Sequence, residues 1–436
     1  MEKSYSQKLL LGIQHVLAMF GATVLVPMLT GLNSSIALIC AGVGTFIFHS
    51  VTKRKVPVFL GSSFAFIAAL QAVIVIDPAT SLPTLDSLSK VKGALIVAGL
   101  IYVLFALLIK LVGYEKVTKI LPGVVTGPMI IVIGLRLSSS AVSDAFYKTV
   151  KNADGSSASV FDIKYAIIAI IVILTIVLIS VYTKGIINLM PILVALTVGY
   201  IASLIFDYAF HTNLVSFDTI KNASFISFTN KDILDQLTTI PRFDVSAILA
   251  IAPISIVTII EHVGDITTNG AVVGQNFIAD PGVHRTLLGD GLATAFAGIM
   301  GGPANTTYGE NTGVLAVTKN YDPSILRIAA GFAIVLGIFG KVGGFINSIP
   351  SPVRGGISIV LFGMIASVGV RILISNQIDM SKSRNLMISS LIFVLGIGIS
   401  SVPVTDTVEI SGLAIAAFVG IVLNLVLVDN SDSSEN

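Results

Sequence analysis

Apolar runs of about 15 to 21 residues recur from one end of this 436-residue chain to the other. Each comes close to the ~20 residues that a helix rising 1.5 Å per residue needs to cross ~30 Å of hydrocarbon. Inside that layer every backbone N–H and C=O must find its partner within the chain, so a succession of such runs reads as helices. Composition agrees. Hydrophobic residues make up 54% and charged residues 11%, the mean hydropathy is +0.94, and an ordinary soluble protein carries roughly 25% charge. The expectation is an all-α polytopic membrane protein with no room for a large soluble domain.

The first run, LLLGIQHVLAMFGATVLVPML, follows Lys3 and Lys8 as a signal peptide would. It is too long and lacks a clean small-residue cleavage site, so it reads as the first span. The net charge of +2 is scattered among loops; it bears on topology and gives no sign of a nucleic-acid partner. Cys40 is the only cysteine, which leaves neither a disulfide framework nor a thiol metal site. With no Trp in the chain, Tyr and Phe are left to supply the interfacial belt.

Hydropathy places one set of spans near 10–30, 36–51, 59–75, 94–112, 124–137, 165–181 and 189–206. It places a second near 245–260, 286–300, 308–317, 324–339, 355–373, 386–402 and 410–428. The third span contains LGSSFAF and the tenth contains NTTYGEN, each a Gly/Ser/Thr/Asn-rich break leading into a short apolar helix. Interrupted segments at matching positions of two halves point to a transporter's binding site. Seven is odd, so the second set enters the membrane from the opposite side, as an inverted repeat. LPGVVTGPMIIVIGLRL, from Leu121, and IPSPVRGGISIVLFGMIASVGVRIL, from Ile349, echo one another from an opening Pro and Gly to a closing Gly-x-Arg; Pro and Gly marking helix ends would account for this equally well.

Lys53, Arg54 and Lys55 form the densest basic cluster, and most other loop Lys and Arg, Lys116 and Lys119 among them, fall on the same side as the N-terminus. The positive-inside rule makes that side cytoplasmic. Long loops near 138–164 and 207–244 then lie outside, and both termini on the cytoplasmic side of the cell membrane. The expected organisation is a first repeat over 1–207, an extracellular linker over 208–244, a second repeat over 245–428 and a short disordered tail at 429–436.

An ionisable side chain at membrane depth costs about 2.5 to 3.5 kcal/mol and is a functional candidate by default. Glu261 closes AILAIAPISIVTII, Asp290 sits in LLGDGLATAFAGI, and Glu310 lies in the broken tenth segment. Asp265 follows Glu261 by one helical turn on the same face. EHVGD also reads as the cytoplasmic end of a helix with its charges in water, and Asp290, close to Arg285, as an interfacial residue. Glu310 is harder to dismiss, with no Lys or Arg nearer than Lys319.

Gly301, Gly302 and Pro303 end one helix, residues 305–308 run extended and a helix starts near Gly309, so its first amides are unpaired donors at membrane depth. That N-terminus favours a carboxylate at Glu310 and any carbonyl oxygen brought to it. Ser62 and Ser63 can cap a helix starting near Phe64. Two half-helix N-termini then face one site lined by amides, carboxylates and the rings of Phe64 and Tyr308. A small planar molecule with ring N–H donors and carbonyl acceptors matches it. Carboxylates bind cations too, so an ion channel fits the same charges. Of the histidines, His15 reads equally as a cross-helix hydrogen-bonding group and a proton relay, His262 as structural, and His49, His211 and His284 as loop or interface residues. None forms a metal-like cluster.

QHVLAMFGATVLVPML, VPVFLGSSFAFI, EHVGD and above all YGENTGVLAVTK resemble the nucleobase/ascorbate transporter family, in its bacterial uracil permease branch. The family signature is met by Glu310, Asn311, Gly313, Thr318 and Lys319, the Gln-His pair of the first span by Gln14 and His15, and the likeness covers essentially the whole chain. It implies fourteen spans in two inverted repeats, core and gate domains, a homodimer, and nucleobase import with a cation, normally H⁺, with Na⁺ the alternative. By matched position, Glu261 and Glu310 accept from the ring N–H groups of uracil and the backbones of Phe64 and Gly309 donate to its carbonyls. Ala22, Ser63 and Tyr308 line the pocket, and Glu261, Asp265, Asp290, Glu310 and Asn311 are the coupling candidates. Asp265 stands where a well-known uracil permease has His, and Asp290 matches an Asp common among purine-type members. Glu310 tilts the substrate to uracil over xanthine or uric acid. An anion carrier or channel on the same fold is the reading from another class. With no nucleophile–base pair, metal cluster or Walker sequence, an enzyme is the least favoured reading, and no cofactor is expected.

Overall fold

The computed structural model describes residues 5–78, 80, 82–114, 122–151, 157–405 and 408–427. The expected tail at 429–436, together with Lys3, Lys116, Lys119 and Leu121, lies outside the described residues. The chain is mostly helical, and eight of the described helices are long and apolar enough to cross a membrane. In chain order the first elements are α1 (Tyr5–Thr30), α2 (Ser34–Val51), β1 (Leu60–Ser62), α3 (Ile67–Val73), α4 (Leu85–Val112), α5 (Gly123–Arg136), α6 (Ile163–Tyr182) and α7 (Pro191–Phe210). They are followed by α8 (Val245–Ile251), α9 (Ile254–Val273), α10 (Val283–Met300), β2 (Asn305–Thr307), α11 (Gly309–Thr318), α12 (Pro323–Ile338), α13 (Ser351–Ser375), α14 (Ser383–Gly398) and α15 (Gly412–Val426). Shorter elements are named below by their residues.

Several boundaries move for identifiable reasons. Hydropathy starts the fourth span near 94, but α4 begins at Leu85, where Thr84 accepts from Ser87 N–H as N-cap. The polar start persists because buried Lys92 is fully used: its ammonium donates to the carbonyls of Gln236, Leu237 and Thr239 at 2.9, 3.2 and 2.7 Å. Those carbonyls end the short helix Lys231–Thr238. Lys341 serves Phe217–Asn222 in the same way, donating to Ile220 and Lys221 at 2.9 and 3.0 Å. The stretch 207–244 is therefore a pair of capped helices rather than an open loop. Likewise 138–164 holds the helix Ser138–Phe146 and the hairpin Tyr147–Lys151 with Ser157–Phe161.

The reading of EHVGD as a helix end is overturned. α9 runs on to Val273 and stops where Gly274 takes a left-handed conformation at φ +78°, so Glu261 and Asp265 sit within the helix. His49 is no loop residue: it is buried in α2, with Nε2 2.9 Å from the Val58 carbonyl.

Two sets of helices pack most closely. α10 lies on α4 and α2, and α12 lies on α2 and α1; α13 lies on α5 and α6, and α14 lies on α5 and α15. Small residues bring the backbones together. A Cβ on Gly99 would stand 2.5 Å from the Gly291 carbonyl oxygen, and one on Gly369 would stand 2.5 Å from that of Gly127. The second crossing joins the two segments that echo one another in sequence.

The third and tenth segments are broken, as their composition suggests. β1 pairs antiparallel with β2 in the register Leu60↔Thr307, Gly61↔Thr306 and Ser62↔Asn305. The ladder extends through Tyr308 N–H to Phe59 O at 3.0 Å and Ser63 N–H to Ala304 O at 2.8 Å. One 3₁₀ turn, Phe64–Phe66, then leads into α3, while α11 follows β2 directly. Gly61 is required by close approach, since a Cβ there would lie 2.5 Å from Tyr308 Cε2 and 2.8 Å from Thr23 Oγ1. Gly61→Ala is accordingly expected to lower the thermal unfolding midpoint of detergent-solubilised protein and to reduce its yield; an unchanged midpoint would show that the ribbon yields to a methyl group.

Candidate functional site

A two-stranded ribbon inside a membrane protein has two open edges, and here side chains bond to both. Leu60 N–H donates to Thr45 Oγ1 at 2.9 Å and the Ser62 carbonyl accepts from the Tyr308 hydroxyl at 2.8 Å. On the opposite edge the Asn305 carbonyl accepts from Thr294 at 2.7 Å, and Thr307 N–H donates to Asp290 Oδ2 at 3.0 Å. α2 and Tyr308 thus serve one strand and α10 the other. An orphaned backbone group costs about 1–3 kcal/mol, so these side chains are what makes the break tolerable.

Asp290 also accepts from the Thr307 hydroxyl at 3.0 Å and lies 2.9 Å from His262 Nδ1, while His262 Nε2 lies 2.9 Å from Thr286 Oγ1. Both Asp290 and His262 are buried, which overturns the interfacial reading of Asp290. His15 bonds across helices: Asn311 Nδ2 lies 3.0 Å from its Nδ1 and donates to its carbonyl at 3.1 Å, tying α11 to α1.

α9 runs beside the broken tenth segment. A Cβ on Gly309 would meet only Asp265 Oδ1, at 3.5 Å. One turn on, buried Asn269 donates from one amide nitrogen to Thr312 Oγ1 at 3.0 Å and to the Pro57 carbonyl at 3.1 Å. Glu261 and Gly309 are exposed, and Phe64, Asp265 and Glu310 half-buried. A carboxylate exposed midway along a helix this apolar marks a polar cleft in the protein rather than a lipid face. Glu261 lies within electrostatic reach of Glu310, Asp290 and, with opposite sign, Arg371 of α13.

The structure therefore brings Glu261, Asp265, Gly309 and Glu310 together. Phe64 leads away from the ribbon's other strand and packs against the cluster that holds Ala22 and Tyr308, while Ser63 and Asn311 are buried as well. One local expectation fails: Ser63 holds the N-cap position, but its side chain makes no cap bond, and the Ser62 hydroxyl is buried without a partner. Sequence reasoning passed over Thr45, Thr294, Thr307, Asn269 and Thr312. The signal was available for Thr45 and Thr294 as lone polar residues within apolar helices, for Thr307 and Thr312 as members of the polar break itself, and for Asn269 as the third member of the face that carries Glu261 and Asp265. A cavity of about 530 Å³ further along α9, bounded by Ile266, Gly270 and Phe277, includes none of the candidate residues.

The sequence profile described as the Permease family matches residues 6–405. The chain is 41% identical to the uracil permease of Bacillus caldolyticus over 431 residues, covering 99% of this chain and 94% of that protein. It is 39% identical to the uracil permease of Bacillus subtilis, covering 97% and 94%, and 36% identical to that of Escherichia coli K12, covering 96% and 91%. Among solved structures, the transmembrane domain of the cyanobacterial bicarbonate transporter BicA aligns with a TM-score of 0.59 at 14% identity, over 96% of both chains. The inward-facing murine Slc26a9 anion transporter aligns at 0.66 and 10% identity, over 98% of this chain and 68% of that one. At such identities the likeness is one of fold.

Asp290→Asn keeps the shape but turns an NH₂ towards groups that need an acceptor. It is expected to lower the thermal midpoint, the loss of charged hydrogen bonds being worth about 1.5–3 kcal/mol each. Thr307→Val should then cost less in protein that already carries Asp290→Asn than in the wild type, and equal losses in both would contradict a shared network.

Proposed function

Because the chain belongs to the nucleobase/ascorbate permease family, we propose that it imports uracil together with protons by alternating access. It is a multi-pass membrane protein, and its relatives are named permeases, not enzymes. The observation that carries the reading is the pairing of β1 with β2, which sets the starts of both half-helices beside the carboxylates of α9. Glu261 and Glu310 accept from the two ring N–H groups, and the Phe64 and Gly309 amides donate to the carbonyls. Ala22, Ser63 and Tyr308 enclose the ring.

The two sets of packed helices support a division into a core domain, from α1–α4 and α9–α12, and a gate domain, from α5–α7 and α13–α15. The antiparallel ribbon and the crossing of α5 with α13 are the contacts expected of an inverted repeat of seven spans about the linker at 208–244. A homodimer with both termini in the cytoplasm completes this reading.

Coupling follows from charge. Ionised carboxylates close together at membrane depth carry a high desolvation cost, and a proton together with substrate hydrogen bonds lowers it, so loaded and protonated states favour one another. Glu261, Glu310 and Asp265 are placed to hold the proton, while Asp290 and Asn311 act through packing; H⁺ is the coupling ion, with Na⁺ the alternative. A xanthine or uric acid carrier is the second reading, favoured by Asp290. An anion carrier is disfavoured, because the carboxylates repel its cargo.

Uracil uptake is expected to fall as external pH rises and when a protonophore collapses the gradient; indifference to both removes proton coupling. Glu310→Gln exchanges an acceptor for a mixed donor and acceptor, and should weaken uracil binding or shift preference towards purines. Wild-type affinity in that variant contradicts the assigned role.

A further inference from the structure

α9 and the broken tenth segment touch at three successive levels: His262 with Thr307 at 3.1 Å, Asp265 against Gly309, and Asn269 with Thr312 at 3.0 Å. The levels match in length. Seven residues of helix from 262 to 269 rise about 10.5 Å. From 307 to 312, two extended steps of ~3.3 Å and three helical steps of 1.5 Å give about 11 Å. The last level also reaches the other half. The Pro57 carbonyl can only accept, so the Asn269 atom facing it is the nitrogen, and its two hydrogens go one to the segment entering β1 and one to α11. Neither Asn269 nor Thr312 has been given a part in the site so far, yet they bolt together the elements that carry Glu261 and Glu310.

We propose that the Asn269–Thr312 hydrogen bond fixes the spacing between the two glutamates and thereby restricts the site to a single-ring base. Both are positioning residues, and the inference rests on the uracil-site reading above. With His262–Thr307 holding one end and Asn269–Thr312 the other, α9 can neither slide along nor tilt away from the segment between them, which bears Gly309 and Glu310. Freeing the second end lets the cleft widen there, and the added width favours a two-ring base.

The test uses full-length protein in detergent, with uracil and xanthine binding by calorimetry and thermal midpoints as a separate readout. Thr312→Val keeps shape and loses the acceptor; Asn269→Ala loses the donor. Each should weaken uracil binding about tenfold, the worth of one buried hydrogen bond, and narrow the uracil-to-xanthine ratio. The double variant should be no worse than Asn269→Ala alone, in midpoint and in ratio, and Thr312→Ser should behave as wild type. A Thr312→Val protein with an unchanged ratio overturns the proposal, as do losses in the double variant that simply add. Should Asn269→Ala not fold, the Thr312→Val and Thr312→Ser pair decides. Wild-type protein that binds no uracil overturns the uracil reading and the selectivity claim with it, while the hydrogen bond as a spacer is then judged by the midpoints alone.

Discussion

Backbone amides and carbonyls that no water can reach govern this structure. Most of the expected spans meet that demand within helices; the third and tenth cannot, because each is interrupted by a strand. Their answer is mutual: each supplies a strand for the other, and the two outward edges of the resulting ribbon are bonded by Thr45, Thr294, Tyr308 and Asp290. Other features near the site follow from this pairing. Gly61 is glycine because the Tyr308 ring lies across the ribbon, and Asp290 is tolerable without water because its oxygens face three donors. An Asp that reads as a coupling candidate by position is, by its contacts, first an acceptor for Thr307 and His262.

Much of the fold was legible because hydropathy and helix length are the same physical statement in a bilayer. The breaks were legible too, since Gly, Ser, Thr and Asn in the middle of an apolar run cannot be explained by lipid contact. Local charge misled where its partner lay far away in sequence. Lys92 made the start of α4 look like a loop, because the carbonyls that satisfy it lie some 150 residues on. EHVGD looked like a helix end for a related reason: a helix facing a polar cleft carries the same residues as one entering water. The partners of Asn269 and His262 belong to other segments, and no single-segment pattern contains that information.

The site's electrostatics and its mechanics are separable. Glu261, Asp265 and Glu310 gather three acidic side chains where α9 meets the start of α11. The neutral contacts around them, threonine hydroxyls and asparagine amides, carry no charge and hold distance. Fold neighbours that are anion transporters share the scaffold, so function has to be argued from the side chains at the site.

Lys92 and Lys341 grip the connection between the halves at two points, each by an ammonium closed over the last carbonyls of a short helix. One lysine belongs to the early part of the chain and the other to the late part, so the connector is fastened down twice before it reaches α8. A strap riveted in this way behaves as a beam. Its entry from α7 is held as well, where the Asp207 carboxylate accepts from the Thr212 hydroxyl and from the Leu214 and Val215 N–H groups.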